Sequence, residues 1–537
     1  MKKKILPIAI SLIIWFLLFY IYLPAINIMS KDFWQFMLML AVITAIINAW
    51  PILSSLKFKR NDPHNLEVFK TFKTVIIVFV AAVAIYIVGN ILSSPILRAS
   101  AYSKLMPINT SDFSSDIKEV DYTQIPILDK SSASKLAERE MGNMADMVSQ
   151  YEVSDYYSQI NYNNRPTRVT PLEYGDTVKW FVNRKTGIPA YIRIDMPTQD
   201  VELIRLESGI KYSPSEYFNR DIYRYIRFRY PTSMFRNISF EIDENGTPFW
   251  ICPVEKHRIG LFGGVDIKGI VAVNAITGKH EYFDVKDIPT WIDAVFDASL
   301  LIEQYDYYGT LRNGFINSVF GQKDCLSTTE GYNYIALNDD VWVYSGVTSV
   351  GGDESIIGFV LMNQRTKESN YYKISGAKEL SAMSSAEGQV QNMKYEATFP
   401  LLLNISGEPT YFLSLKDDAG LVKKYAMVNV EKYQIVATGD NVKECEKSYR
   451  ALMKSNGINT LDTSENLSLK GVISDIKDIV TDGNTVYYII ITGNDMLFEA
   501  KVSDNLSVLK LSKGDFVTIK YAKSETDGVG IIASIEK

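Results

Sequence analysis

The chain is 537 residues long, 47% hydrophobic and 22% charged, which is long enough for two to four domains. Its three cysteines exclude a disulfide-rich scaffold or a multi-cysteine metal protein, and its three histidines exclude a His-rich metal cluster. A net charge of −6 disfavours a protein whose whole surface binds nucleic acid.

Three uncharged apolar stretches open the chain, at 5–26, 33–53 and 74–97. Each exceeds the roughly 20 residues that a helix needs to cross a bilayer, so the sequence predicts a three-helix membrane anchor over 1–97. A cleaved signal peptide is the alternative for the first stretch, but that stretch is long and lacks a small-residue cleavage site. None of the stretches carries Asp, Glu, Lys or Arg, which favours an anchor over a transporter.

The distribution of basic residues predicts the orientation of these helices. Three lysines precede the first stretch and five Lys or Arg lie in the loop 54–73, whereas the loop 27–32 has only Lys31. Positively charged loops stay in the cytoplasm. We therefore expect a plasma-membrane protein with a cytoplasmic N-terminus and with residues 98–537 outside the cytoplasm, unless cleavage at 99–101 releases them.

The segment 98–174 is rich in Ser, Asp, Asn and Tyr. One helical pattern runs through it, from Ser131 to Val148, with apolar residues on one face. We interpret the segment as a membrane-proximal stalk with a docking helix. The alternative is that this helix is the first element of the region that follows.

A short pattern then recurs along the chain. It is Asn-x-x-Thr-Gly or a close variant, preceded by apolar β-formers, and it starts at Asn183, Asn274, Asn363 and, more weakly, Asn429. Asn bonds its own backbone to start a turn, and Gly accepts a positive φ. A second strand follows, and then a helix for which Asp287, Ser375 or Asp440 is a suitable N-cap. The predicted unit is strand, turn, strand and helix, so the fold class is α+β.

This repeated unit resembles the PepSY-type repeat of bacterial envelope proteins. The resemblance divides the region into two repeat pairs, 175–310 and 311–460. It implies a role in binding or restraining partners such as peptidases.

The last segment, 465–537, changes character. Four or five short strands follow in quick order, separated by turns such as Gly493-Asn494 and Lys513-Gly514-Asp515. The pattern resembles an OB-type barrel, with the helix before the fourth strand reduced to 506–511. The segment is acidic and is expected outside the cell, so we expect no nucleic-acid partner.

The most distinctive surface candidate lies in 213–230. Ser213 and Glu216 predict a capping box, Pro214 suits the first helical position, and Pro231 would end the helix. On the predicted helix, one side is mainly apolar but also includes Arg229, and the opposite side is basic. The sequence-predicted partner-binding residues are Arg220, Arg224, Arg227, Tyr223 and Tyr230. Arginines beside tyrosines suit a carboxylate-rich partner; the alternative is a solvated face paired with local acids.

No catalytic motif is visible, and we expect no cofactor and no metal site. A hydrolase would need a polar pocket around His257 or His280. The sequence therefore predicts a non-enzymatic, membrane-anchored extracytoplasmic binding or scaffold protein of the bacterial cell envelope, with other envelope proteins as partners. The alternative is a sensory or regulatory subunit that acts through a separate membrane partner. The sequence does not determine the oligomeric state.

Overall fold

The computed structural model describes residues 2–54, 63–119, 124–350, 355–458, 467–481, 484–501, 506–523 and 528–537. The chain forms two compact units, Met1–Leu403 with Pro409–Tyr449, and Asn404–Glu408 with Arg450–Lys537. Its helices are α1 Lys2–Tyr22, α2 Lys31–Ser54, α3 Pro63–Leu92, α4 Pro95–Tyr102, α5 Phe113–Asp116, α6 Lys130–Gly142, α7 Thr177–Asn183, α8 Ile222–Arg229, α9 Ala298–Leu311, α10 Glu379–Gln389 and α11 Val442–Ser455.

Most of each predicted apolar stretch is helical, as α1, α2 and α3, but α1 ends at Tyr22 and α3 at Leu92, before the predicted ends at 26 and 97. Among the described residues, however, only Lys73–Leu92 is long and apolar enough to cross a membrane, and Ala9–Tyr22 is a shorter apolar helix. The prediction of three membrane-spanning helices is thus supported for one helix. The predicted cytoplasmic loop 54–73 lies largely outside the part of the chain whose side chains are described.

The first sheet has the strand order β2-β4-β5-β6, with β3 also paired to β4. Its strands are β2 Tyr151–Val153, β3 Ser158–Tyr162, β4 Arg165–Tyr174, β5 Ile188–Asp195 and β6 Val201–Ile210, and the preceding β1 is Asn109–Ser111. Three of these strands lie within the predicted stalk, and β1 pairs in parallel with a strand near residue 370. The segment 98–174 is therefore not a separate stalk. It is part of the folded region of the first unit that follows α3, which we call the body.

The predicted docking helix is present but shorter, as α6. Asp129 caps it by accepting a hydrogen bond from the Ser132 amide, and Ala133, Leu136 and Met141 are buried on one face. A turn follows Gly142, so the helix ends before Val148.

The second sheet has the order β11-β10-β9-β7, with β8 also paired to β9. The third has the order β1-β17-β16-β14-β12, with β13 paired to β14, and the fourth has the order β19-β21-β22-β23, with β20 paired to β21. A two-stranded pair joins β15 to β18. The strands are β7 Met234–Phe235, β8 Ser239–Ile242, β9 Pro248–Ile259, β10 Gly263–Asn274, β11 His280–Asp284, β12 Leu326–Thr328, β13 Asn333–Leu337, β14 Asp340–Ser349, β15 Ser355–Ile356, β16 Gly358–Asn363, β17 Ser369–Tyr372, β18 Gly376–Ala377, β19 Glu396–Ala397, β20 Leu401–Ile405, β21 Glu408–Lys416, β22 Val422–Asn429 and β23 Val436–Gly439.

Three copies of the recurring Asn turn are hairpin turns, as predicted. Asn274 ends β10 and its Oδ1 accepts hydrogen bonds from the amides of the next turn, including Thr277 at 2.8 Å. Asn363 ends β16 and Asn429 ends β22, and each Oδ1 accepts an amide three residues on, at 2.9 and 2.8 Å. The strands β11, β17 and β23 return antiparallel.

The first copy of the pattern does not form this unit. Asn183 is the last residue of α7, which Asp176 begins by accepting hydrogen bonds from two amides of the first turn. The Asn183 side chain donates to the Lys179 carbonyl within that helix. The helical cap therefore takes precedence over the turn signal, and the prediction is wrong for this copy.

The predicted helix starts are also displaced. The helix after β11 begins at Ala298 with Asp297 as its cap, not at Asp287, and the helix after β17 begins after Lys378 rather than Ser375. At the fourth copy Asn441, not Asp440, accepts the Glu444 amide. The helix α11 then buries Cys445 and Tyr449.

The main core lies between the second and third sheets and α9. It is built from buried aliphatic and aromatic side chains, among them Ile251, Ile270, Leu301, Tyr305 and Val360. A smaller cluster of Ala99, Tyr102, Leu105, Ile259 and Leu311 joins α4 and α9 to the end of β9.

The second unit holds a closed five-stranded barrel with the order β24-β25-β26-β28-β27. Its strands are β24 Leu467–Thr481, β25 Asn484–Ile491, β26 Leu497–Lys501, β27 Phe516–Lys523 and β28 Val529–Glu536. The predicted small barrel is confirmed, and a 3-10 turn at Leu506–Lys510 stands where the sequence predicts a reduced helix.

Candidate partner-binding site

The segment 213–230 folds differently from the predicted single helix. A 3-10 turn at Phe218–Arg220 precedes α8, and Asp221 caps α8 by accepting the Arg224 amide at 2.8 Å. Glu216 is buried and accepts hydrogen bonds from the Tyr174 hydroxyl and the Trp180 indole, both at 2.8 Å. The predicted capping box is therefore absent, because two aromatic donors from neighbouring elements take the Glu216 carboxylate.

The three predicted arginines do not form one exposed stripe. Arg220 donates to the Arg184 carbonyl at 2.6 Å. Arg224 donates to the Tyr20 carbonyl at 3.2 Å and lies over the Tyr20 ring. Arg227 is only 8% exposed and donates to the Leu23 carbonyl at 2.9 Å.

Arg224 and Arg227 thus bind the C-terminal end of α1. The last carbonyls of a helix have no partner within it, and a cation there also interacts favourably with the helix dipole. Desolvation by burial lowers the pKa of Arg227 to about 10. Arg227 therefore remains cationic at neutral pH. The donors of both arginines are directed into the chain.

The two predicted tyrosines contact different partners. The Tyr223 hydroxyl shares a 2.7 Å hydrogen bond with the Tyr156 hydroxyl, and burial raises the pKa of Tyr223. The Tyr230 hydroxyl lies 2.9 Å from Nδ1 of His280, the first residue of β11. Tyr230 therefore connects the end of α8 to the hairpin formed by β10 and β11.

An open cleft of about 810 Å³ lies between α8 and this hairpin, and we call it the hairpin cleft. Its lining combines aromatic, cationic and acidic side chains with the turn residues that follow Asn274. The residues that give it its chemistry are Tyr225, Arg229, Phe249, Lys279, His280 and Trp291. A cleft with aromatic walls and a few placed polar groups is typical of a binding site.

Arg229 is the central cation of the hairpin cleft. Its guanidinium lies 3.5 Å from the centroid of the Tyr225 ring, and it donates to the Tyr225 carbonyl at 3.2 Å. Among the described residues no carboxylate forms an ion pair with it, although Asp243 and Glu281 also line the cleft. Its position fits an incoming carboxylate.

His280 also lines the hairpin cleft. Partial burial, together with the nearby charge of Arg229, lowers the pKa of His280 below its ordinary value. The imidazole is therefore neutral at pH 7, and with Tyr230 it offers a hydrogen-bonding pair. Among the described residues no group of three or more His, Cys, Asp or Glu side chains is placed to hold a metal ion.

The strand β11 borders the cleft and is the edge strand of its sheet. It pairs on one side with β10, from Val273 opposite His280 to Gly269 opposite Asp284. An edge strand leaves alternate amides and carbonyls available to an added strand. The cleft is thus adjacent to a backbone surface that suits an extended peptide.

His257, the other histidine outside the N-terminal helices, lies on β9 and lines a separate cavity of about 250 Å³ near Asp32 and Glu255. Its Nδ1 lies 3.1 Å from the Leu261 carbonyl. The structure therefore places the two histidines in different sites.

Of the residues that line the hairpin cleft, the sequence singles out His280 only as a candidate hydrolase residue and Arg229 only as part of the apolar helix side. Helical spacing places Arg229 on the apolar side of its helix, four residues after Tyr225, and a cation in that position is a signal that could have been followed. Phe249 and Trp291 carry no local signal, because the fold alone brings them together, with ring centroids 4.9 Å apart.

No protein-family model matches this chain, and no curated protein is detectably similar to it. The fold and the cleft therefore define the protein only as an α+β protein with apolar N-terminal helices and a small barrel.

Proposed function

We propose that the protein is a membrane-anchored extracytoplasmic binding protein of the bacterial cell envelope. In this proposal α1, α2 and α3 all cross the plasma membrane, the N-terminus is cytoplasmic, and residues 98–537 lie outside. The apolar segment Lys73–Leu92 supports the anchoring, and the Lys/Arg bias supports the orientation.

Contacts between the helices and the body agree with this arrangement. The body binds the C-terminal end of α1 through Arg224 and Arg227. It binds the C-terminal end of α3 through Ser93, whose Oγ accepts the amides of Leu261 and Phe262 at 2.9 Å. Two helices that cross in the same direction have these ends on the same side of a bilayer.

The hairpin cleft is the proposed partner site. The observation that carries this proposal is Arg229, an exposed guanidinium stacked on Tyr225 beside an edge strand. We expect the partner to present an extended segment with an acidic side chain for Arg229 and an apolar side chain for the wall of Phe249 and Trp291. Main-chain bonding to β11 would supply affinity, and the cleft would supply selectivity.

Photocrosslinking in intact cells tests this proposal. A photoreactive amino acid replaces Tyr282 on β11, which is 41% exposed, or Tyr433 as a control, which is 50% exposed. We expect a discrete crosslinked protein from position 282 only, and we expect Arg229→Glu to reduce its yield at least tenfold. The control Arg205→Glu removes an exposed arginine that pairs with Asp146. Equal yields from both positions, or an unchanged yield with Arg229→Glu, would rule out the cleft as the partner site.

A sensory or regulatory subunit is the second candidate. The direct hydrogen bonds from the body to the ends of α1 and α3 favour it, because a rearrangement on partner binding would move both helix ends. The signal would then pass to a separate membrane protein through the loop 54–73. Crosslinks from this loop to another membrane protein that change when the cleft is mutated would support this candidate over a passive anchor.

A further inference from the structure

Two groups of exposed apolar side chains lie near the ends of α1 and α3. The first group is on α7 and the 3-10 turn before α8, where Phe181 is 61% and Phe218 is 63% exposed. Val178 and Val182 extend it along α7. Clustered exposed aromatic and aliphatic residues indicate an interaction surface.

The first group lies beside the last turn of α1. Arg224 donates both to the Phe218 carbonyl, at 3.5 Å, and to the Tyr20 carbonyl, at 3.2 Å. On the next turn of α8, Phe228 meets Phe19 edge-on with 5.7 Å between the ring centroids. The helix α8 therefore contacts α1 about one turn before α1 ends.

The second group follows α9. It lies around the π-helical turn Asn317–Gly321, where Ile316 is 74% and Phe320 is 85% exposed. The preceding Phe315 packs against the cluster that contains Tyr102, and the Tyr102 hydroxyl donates to the Ser93 carbonyl at 2.6 Å, just after α3. This turn is therefore anchored beside the end of α3.

The backbone at Phe218 is held in an unusual conformation. Phe218 has a φ of +56°, a conformation that bulky residues rarely adopt, and Trp180 lies beneath it with 6.1 Å between the ring centroids. An exposed lysine stands close in sequence to each group, Lys185 after Phe181 and Lys323 after Phe320. Aromatic and basic side chains together are typical of the membrane–water interface.

We propose that both groups insert into the boundary between headgroups and acyl chains of the extracytoplasmic leaflet, where α1 and α3 end. The body then rests on this leaflet. This inference depends on the proposed membrane anchoring. A lipid surface is the occupant that fits, because two groups on unrelated elements lie at the ends of helices that the bilayer would surround. Insertion at this depth buries apolar area without crossing the membrane.

Depth-dependent fluorescence quenching tests the insertion. The full chain, in nanodiscs of phosphatidylcholine and phosphatidylglycerol with a nitroxide near the headgroup end of the acyl chain, carries an environment-sensitive fluorophore on a single introduced cysteine. The three native cysteines are buried, so labelling is selective. The test positions are Phe181→Cys and Phe320→Cys, with Val80→Cys in α3 as a membrane reference and Leu380→Cys in α10 as an exposed apolar reference in the body.

We expect the nitroxide lipid to reduce fluorescence at least twofold at positions 80, 181 and 320, and to leave position 380 unchanged. If position 80 is quenched while 181 and 320 behave like 380, the insertion is wrong and the membrane anchoring stands. If position 80 is not quenched, the membrane anchoring itself is wrong, and the insertion falls with it.

Discussion

At the scale of single residues, the most unusual pair is Glu241 and Asp293, which are buried at 0% and 1% exposure. The Asp293 amide donates to Glu241 at 2.9 Å, and the Asn161 amide donates to Oδ2 of Asp293 at 2.7 Å. Among the described atoms, Oδ1 of Asp293 has no hydrogen-bond partner. Burial, and then the neighbouring charge of Glu241, raises the pKa of Asp293 well above its ordinary value.

A raised pKa makes this pair a source of pH-dependent stability. The folded state holds its proton more tightly than the unfolded state, so stability is fully present at low pH and is lost as pH rises through the folded pKa. We expect Asp293→Asn to increase the free energy of unfolding at pH 8 by about 1–3 kcal/mol, the usual cost of a poorly compensated buried polar group. The gain should shrink toward pH 4.

Thermal unfolding of the full chain in detergent, from pH 4 to pH 8, measures this effect. The control Glu330→Gln removes an exposed carboxylate and should leave the pH profile unchanged. If the pH profiles of Asp293→Asn and wild type run parallel over this range, the raised pKa of Asp293 is not a source of pH-dependent stability.

Arg227 provides a second residue-scale prediction. It donates to the carbonyls of Leu23 and Ser233 from a buried position, so Arg227→Met leaves these acceptors without a charged donor. We expect a loss of about 1.5–3 kcal/mol in stability, the range for hydrogen bonds to charged groups. Denaturant unfolding in micelles measures it, with Arg205→Met as an exposed control. A loss no larger than that of the control would mean that Arg227 is free for a partner after all.

At the scale of elements, what the sequence could predict depended on how local each signal is. The Asn turns at 274, 363 and 429 were predictable because each Asn side chain bonds an amide only three residues further on. The role of Arg224 and Arg227 was not, because their acceptors lie 204 residues away. The helix starts failed for the same reason: the length of chain between each β-hairpin and its helix is set by packing on the sheet.

The repeated turns also differ in how much each Asn contributes to the free energy of unfolding. Asn363 is 1% exposed and, besides its turn amides, donates to Asp340 at 2.7 Å, whereas Asn274 supports its turn from a more exposed position. We expect Asn363→Ala to cost about 2–3 kcal/mol, because a buried carboxylate loses a donor, and Asn274→Ala to cost about 1 kcal/mol. Equilibrium unfolding of both variants makes the comparison, and equal losses would show that the turn alone determines the cost.

At the scale of the whole molecule, the hairpin cleft and the helix ends belong to one folded body, and the second sheet connects them. One end of β10 enters the turn at Asn274, which lines the cleft. The other end starts at Gly263, beside the amides that bind Ser93. Only the folded chain joins these features, so no sequence motif predicts the connection.

Ser93 is therefore the residue through which the connection between α3 and the body can be tested. Its Oγ accepts hydrogen bonds from the amides of Leu261 and Phe262. One turn earlier, Gly89 leaves room for the Phe262 ring, because a Cβ at position 89 would lie only 2.5 Å from that ring. Without the hydroxyl both amides lose their acceptor at a tightly packed contact. We expect Ser93→Ala to increase hydrogen exchange at 261–262 at least tenfold in the full chain in nanodiscs, and Ser100→Ala, which alters an exposed serine of α4, to leave it unchanged.

If the β10–β11 hairpin also carries the effect toward the cleft, exchange at 277–281 should rise in the same variant. Unchanged exchange at 261–262 would mean that the tip of the β9–β10 hairpin is held by its own sheet and not by α3, and the regulatory candidate would lose its structural basis.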